Sequence, residues 1–186
     1  MVVKKIIFIA ILFKVTLCFS QKNETVILWE DTVKLTWNKF KAEADYKAEP
    51  AAITASGIVF EYSIQIVNKK NVSFSTSIKA NFYPKKSWYK PNEVNVHILS
   101  HEQLHFDITE LYVREFRKKV ALLVVSSSIK EDLNALHLKI LKKLKERQSL
   151  YDEETDYSRN IEAQAKWQKM IDNELLNLIA FKTQKP

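Results

Sequence analysis

The chain has 186 residues, with 29 Lys and Arg against 22 Asp and Glu, one cysteine, one glycine and four prolines. Its formal charge of +7 falls to +4 once three lysines near the N-terminus, Lys4, Lys5 and Lys14, are set aside. That balance is too mild to single out a nucleic acid as partner, the low glycine and proline content argues against long disordered linkers, and no second cysteine exists to close a disulfide.

Met1 to Lys5 is a basic n-region, Ile6 to Phe13 a short apolar run, and Cys18-Phe19-Ser20 a cleavage site before Gln21. This order predicts a signal peptide over residues 1–20. Lys14 stops the apolar run well short of the roughly 20 residues that a spanning helix needs. Leu17 stands where a lipidated cysteine calls for a small residue before it, which argues against an anchor through Cys18. Residues 21–186 are therefore expected to form one secreted or periplasmic domain with no stable membrane span. A domain of about 165 residues can bury roughly 70% of its unfolded surface.

Leu35-Thr36-Trp37-Asn38-Lys39-Phe40 reads as a strand end running into a helical turn, with Thr36 as N-cap. Ile53 to Val67 is rich in β-branched and aromatic residues, Asn68 to Asn71 is polar, and Val72 to Phe82 alternates through Phe74, Thr76, Ile78 and Ala80. The pattern predicts a β-hairpin, whose edge could flank a cleft and accept an extended peptide. A loop over Lys85 to Pro91 follows, and a helix is expected from Asn92 or Glu93 to about Val120.

That helix carries His101-Glu102-Gln103-Leu104-His105, the His-Glu-x-x-His pattern of zinc peptidases. Residues four apart on a helix lie about 40° apart around the axis and about 6 Å apart along it, so both imidazoles can grip one ion. Glu102, about 100° from His101, stands where a carboxylate can take a proton from activated water. By accident such a string occurs in on the order of one chain in a few hundred of this size. The surrounding Ile98, Leu99, Leu104, Ile108, Leu111 and Tyr112 have the periodicity of a helix packed beneath a cleft.

Two histidines leave a zinc site one protein ligand short. Ile108 and Leu111 stand where a metzincin needs glycine and a third histidine, which excludes that class. His97 and His105 are about 12 Å apart along the axis, too far to share an ion. His137 reads as a packed histidine beside Leu133, Leu136 and Ile140. Glu110 is rotated roughly 140° from His105, and Glu131 reads as part of a capping box with Ser128 for a second helix ending near Leu150. Asp152, first carboxylate of an acidic junction from Tyr151 to Tyr157, can be either a ligand or part of a solvated turn. Ser158 is a candidate cap for a third helix carrying Ile161, Trp167, Ile171, Leu175 and Leu178. Lys139, Lys142, Lys143, Lys145 and Arg147 make a basic face on the second helix, read as a solvated surface rather than a contact for anionic lipid.

Strands before helices predict an α+β fold: an N-terminal hairpin or small antiparallel sheet packed on a C-terminal bundle of about three helices, one of them a zincin-like motif helix. The motif with its extension Phe106-Asp107-Ile108, Leu35-Thr36-Trp37, Ser87-Trp88-Tyr89, Tyr151-Asp152 with Thr155, and Gln164 with Trp167 together resemble the bacterial domain-of-unknown-function family 922, over nearly the whole mature chain. The family is described as secreted zinc-dependent proteases.

The resemblance implies a single secreted catalytic domain that takes Zn2+ and a peptide or protein substrate. It makes His101 and His105 ligands, Glu102 the base, and Tyr151, Asp152 and Thr155 a second part of the site. Many relatives read Thr-x-His-Gly where this chain has Thr155-Asp156-Tyr157-Ser158. If that histidine is their third ligand, either Tyr157 replaces it as a phenolate or Asp152 serves. Tyr157 could instead donate to the oxyanion of peptide hydrolysis. The rival expectation is a secreted metal-binding or interaction protein that keeps the histidine pair without turnover.

Overall fold

The computed structural model describes residues 25–182, so the expected signal peptide over 1–20, with Cys18, lies outside the described residues. Among the described residues five strands precede three α-helices: β1 (Ile27–Leu28), β2 (Ala52–Ile53), β3 (Ser56–Val67), β4 (Lys70–Phe82), β5 (Trp88–Tyr89), α1 (Val96–Val120), α2 (Ile129–Glu154) and α3 (Ile161–Asn177). This is the α+β order expected. β1, β4 and β3 form an antiparallel sheet in that order, and β2 pairs with β5 as a separate two-stranded ladder.

The hairpin of β3 and β4 turns through Asn68 and Lys69 alone, with φ of 49° and 63°. Two left-handed residues are what a tight hairpin turn matching the strand twist requires, and asparagine tolerates that conformation better than most residues. Lys70 and Asn71, expected in the turn, instead pair with Val67 and Ile66, and a register shift follows because Gln65 pairs with Ser73, leaving Val72 as the extra residue. Such a bulge increases the local twist.

Helix α1 begins at Val96, later than expected, because Asn95 caps it: the Asn95 side chain accepts from the Ile98 amide at 3.0 Å. Leu104, Ile108 and Leu111 face a core shared with Leu144, Tyr151, Trp167 and Ile171. Phe106, Val113 and Phe116 face another, shared with Ile78, Phe82, Leu133 and Ile140. The helix is thus apolar on two sides, and the single stripe read from the sequence is one of them. Sandwiched this way, α1 is rigid enough to hold side chains in fixed positions.

Two other caps differ from expectation. Ser128 makes no side-chain cap bond to the helix and donates to Asp132 at 3.0 Å instead. Asn160, not Ser158, caps α3, accepting from the Ala163 amide at 3.0 Å. Thr36 precedes a 3-10 turn at Trp37–Lys39 and makes no side-chain cap bond, and Leu35 lies outside any strand.

A buried ionic group ties α1 to α3 and to the segment after β1. Arg114, 2% exposed, donates to Glu110 at 2.9 Å and to the Leu175 carbonyl at 2.7 Å, and its guanidinium lies over the Trp29 ring at 5.1 Å. Glu110 is therefore a structural ion-pair partner. Among the described residues no helix is long and apolar enough to cross a membrane.

Candidate metal centre

His101 and His105 project from successive turns of α1 with their Nε2 atoms 3.2 Å apart. The third group comes from α2, which runs past the expected end near Leu150 to Glu154. Asp152 is therefore helical and not part of a loop, and its placement is fixed by the packing of α2 on α1. Asp152 Oδ1 lies 3.2 Å from His101 Nε2 and 2.9 Å from His105 Nε2.

These three atoms form a triangle whose shape can be tested against a metal. Tetrahedral ligands at 2.0–2.1 Å from zinc are separated from one another by about 3.3 Å. The observed separations of 2.9 to 3.2 Å fit that within a few tenths of an ångström. The group of His101, His105 and Asp152 can hold a metal ion.

Gln148, one turn before Asp152 on the same face of α2, sets the state of His105. Its Nε2 donates to the His105 carbonyl at 3.0 Å and to Thr109 Oγ1 at 3.3 Å. With the amide nitrogen committed, Gln148 Oε1 faces His105 Nδ1 and must accept its proton. His105 Nε2 then carries the lone pair that a metal needs. Thr109 donates to the His105 carbonyl at 3.1 Å, and Ser56 meets the Thr109 hydroxyl at 2.7 Å, extending the network to β3.

His101 is held differently. Its ring stacks on Tyr151 at 4.4 Å and 21°, while its Nδ1 is buried without a partner. Burial, with the nearby charges of Glu102 and Asp152, pushes the Tyr151 phenol far above its ordinary value, so Tyr151 is a neutral packing surface. Thr155, fully buried, donates to the Tyr151 carbonyl at 2.6 Å and closes the end of α2; its role is structural.

The remaining residues of the five-residue string also have distinct tasks. Gln103 accepts from the Leu35 amide at 2.7 Å and donates to Asp107 at 2.9 Å, while Trp29 donates to the same Asp107 oxygen at 2.7 Å. Leu104 is fully buried. Glu102 is 4% exposed, borders the same cleft as both histidines, and has Oε2 buried without a partner. A buried carboxylate oxygen in this state calls for a hydrogen-bond donor such as a water molecule.

Burial alone would lower the His105 imidazole, but the hydrogen bond to Asp152 and the charges of Glu102 and Asp152 outweigh it and raise its pKa above 6.5. Burial would likewise raise the Asp152 carboxyl, yet the hydrogen bonds and charges of His101 and His105 hold it well below the usual carboxylate range. The two shifts run in opposite directions and both favour the charged form, as expected for a carboxylate that shares a site with an imidazole.

The centre opens into a cleft of about 450 Å³. One wall is α2, through Leu141, Leu144, Lys145, Gln148 and Asp152; the facing wall is Pro50 to Thr54 with Ser56. Of the hairpin expected from Ile53 to Phe82, Ile53, Thr54 and Ser56 border the cleft, and the arms beyond Ser56 do not line it. Tyr157 and Ser158 also line the cleft. Asp156, Tyr157 and Ser158 have φ of 48°, 51° and 76°, a left-handed run that costs roughly 1–2 kcal/mol per residue. The run is tied down by Tyr157 N donating to the Asp152 carbonyl at 2.8 Å and by the His97 ring bonded to the Ser158 carbonyl at 2.6 Å. Tyr157 is 57% exposed.

Among the other residues weighed from the sequence, His97 anchors that turn and is not one of the three grouped around the candidate metal site. His137 packs against Phe116 and Phe60, and burial lowers its pKa. Glu131 is exposed at the start of α2. Gln148 was not singled out from sequence; its spacing four before Asp152 becomes visible only once Asp152 is placed on a helix.

No curated protein and no solved structure gives a significant match to the chain. A family model does match, over a span that contains His101, Glu102, His105, Gln148, Asp152 and Tyr157 but stops before Gln164 and Trp167. By that match, over residues 33–160, the chain belongs to the family described as bacterial protein of unknown function, DUF922.

Proposed function

We propose that this protein is a secreted or periplasmic zinc-dependent peptidase. The observation that carries the reading is the convergence of Asp152 on the His101 and His105 nitrogens, at 3.2 and 2.9 Å, beside a buried Glu102 in an open cleft. Secretion rests on the composition of the leader, and zinc on the imidazole and carboxylate donors.

His101, His105 and Asp152 would hold the ion. When bound, zinc lowers the pKa of a water molecule and polarises a carbonyl. Glu102 accepts the proton of the attacking water and delivers it to the leaving amine; its buried, unpartnered oxygen is poised to take one. Gln148 keeps His105 in the tautomer with Nε2 free. The cleft walls orient an extended peptide across the site. Tyr157, which lines the cleft, would donate a hydrogen bond to the oxyanion.

The test pairs bulk metal analysis with a general peptide-hydrolysis assay on the wild type and Glu102→Gln. The reading expects about one zinc per chain in both proteins and a rate in the variant lower by about 10²–10⁴-fold, the usual weight of a general base. One zinc per chain with no hydrolysis by the wild type, or with equal rates in both, supports instead a metal-binding protein without turnover.

A further inference from the structure

Helix α2 presents a continuous stripe to the cleft: Leu141, Leu144, Lys145, Gln148 and Asp152 all border it. Lys145 and Asp152 are seven residues apart, so they share a helix face about 10 Å apart along the axis. The neighbouring basic residues are engaged elsewhere: Lys142 pairs with Glu146 at 3.8 Å, Lys143 with Glu115 at 3.3 Å, and Arg147 with Glu174 at 2.6 Å. Lys145 has no ion pair among the described residues and sits between two leucines and the metal triangle. A cation on the wall of an otherwise apolar stretch of cleft is positioned to meet a charge carried by the ligand.

We infer that Lys145 selects substrates bearing a carboxylate two to four residues from the bond placed at His101 and His105. The spacing follows from the geometry: an extended peptide advances about 3.3 Å per residue, and a separation of about 10 Å corresponds to three such steps. The residues between the carboxylate and that bond pass Gln148, while Leu141 and Leu144 border the cleft beyond Lys145 and favour an apolar side chain there. The carboxylate can belong to an internal Asp or Glu or to the C-terminus of the peptide. The inference rests on the peptidase reading for the orientation of the peptide, and its test separates the two.

The test measures binding of fluorescent ten-residue peptides to the zinc-loaded full chain carrying Glu102→Gln, so that affinity is read without turnover. One glutamate is moved along an Ala and Leu background, each peptide is compared with its glutamine counterpart, and every peptide is made with a free and with an amidated C-terminus. The expected result is a two- to fivefold preference for Glu over Gln confined to one or two adjacent positions, the range that a partly exposed ion pair supports. Adding Lys145→Ala should erase the preference, and Lys145→Glu should turn it toward a lysine peptide. A preference seen only with a free C-terminus assigns the carboxylate to the chain end. Equal binding of Glu and Gln peptides, no peptide binding, or a preference that survives Lys145→Glu overturns the inference. Cleavage by wild type without acidic preference overturns it while leaving the peptidase reading intact, and acidic selectivity without cleavage does the reverse.

Discussion

Gln148 grips His105 at two points, its Oε1 meeting the Nδ1 of the ring and its Nε2 donating to the main-chain carbonyl of the same residue at 3.0 Å. One side chain on α2 thereby fixes both the ring orientation and the tautomer of a metal-facing histidine on α1. Groups that orient a ligand in this way are typically worth 10–100-fold in metal affinity. Gln148→Leu is expected to weaken zinc binding by that factor in competitive chelator titrations. Gln148→Glu, which keeps an acceptor at Nδ1, should retain more of the affinity. Loss of folding would show as a collapsed circular dichroism spectrum, and equal affinity in all three proteins would remove Gln148 from the site.

Much of this arrangement was legible in the sequence, and what was not has a physical cause. The hairpin, the motif helix and its two histidines follow from local periodicity and spacing, which sequence displays directly. Asp152 was recognisable as a candidate, but its helical setting was not, because the polar run Tyr151 to Tyr157 has the composition of a turn. Packing of Tyr151 against His101 and Trp167 carries α2 into that run as far as Glu154, and only the rest of it turns. The cleft wall at Pro50 to Thr54 is a tertiary juxtaposition with no periodic signal, and Gln148 acts through a partner 43 positions away.

The metal-free protein should respond to pH in a defined direction. His105 is held above 6.5, so its contribution to stability is fully present below that pH and is lost as pH rises through the raised value. Asp152 is held below 3.8, so its contribution is present above 3.8 and is lost as pH falls through the depressed value. The cluster thus stabilises the empty fold most between about pH 4 and 6.5. Zinc needs the neutral imidazole and competes with that proton. Thermal melts with and without excess zinc should therefore show a small difference near about pH 5 that grows toward about pH 8. At free zinc a hundredfold above its dissociation constant the gain is about 2.7 kcal/mol. A zinc effect independent of pH would argue against ligation by His105.

Glu110 and Arg114 offer a stability test away from the metal. Both side chains are 2% exposed and 2.9 Å apart, so removing the carboxylate leaves a buried guanidinium with only the Leu175 carbonyl and the more distant Asp31, at 3.9 Å, to meet its charge. Glu110→Ala is expected to cost about 3–5 kcal/mol in urea unfolding. The pair Lys142 and Glu146, with side chains 78% and 62% exposed, is screened by water, and Lys142→Ala should change stability by about 0.5 kcal/mol or less. Comparable losses in the two variants would show that the Arg114 group is solvated and not a closure between α1 and α3.

Tyr157 stands where the family resemblance implies a histidine, and its two possible roles predict different outcomes for Tyr157→Phe. As a ligand it would act through a phenolate, and removing the hydroxyl would weaken zinc binding. As an oxyanion donor it acts as a neutral phenol, and the same change would lower kcat with zinc affinity unchanged. The geometry favours the second role: Asp152 already supplies the third atom of the triangle, and Tyr157 is 57% exposed at the cleft on a turn held by the Asp152 carbonyl. Tyr157→Phe is therefore expected to retain full zinc content and to reduce kcat by about 10²–10³-fold, the usual loss for one oxyanion donor. Tyr157→His, which installs the histidine that the resemblance implies, should tighten zinc binding only if a fourth protein ligand can reach the ion. Such a closed site would then lose the position that water needs, so tighter binding should come with slower hydrolysis.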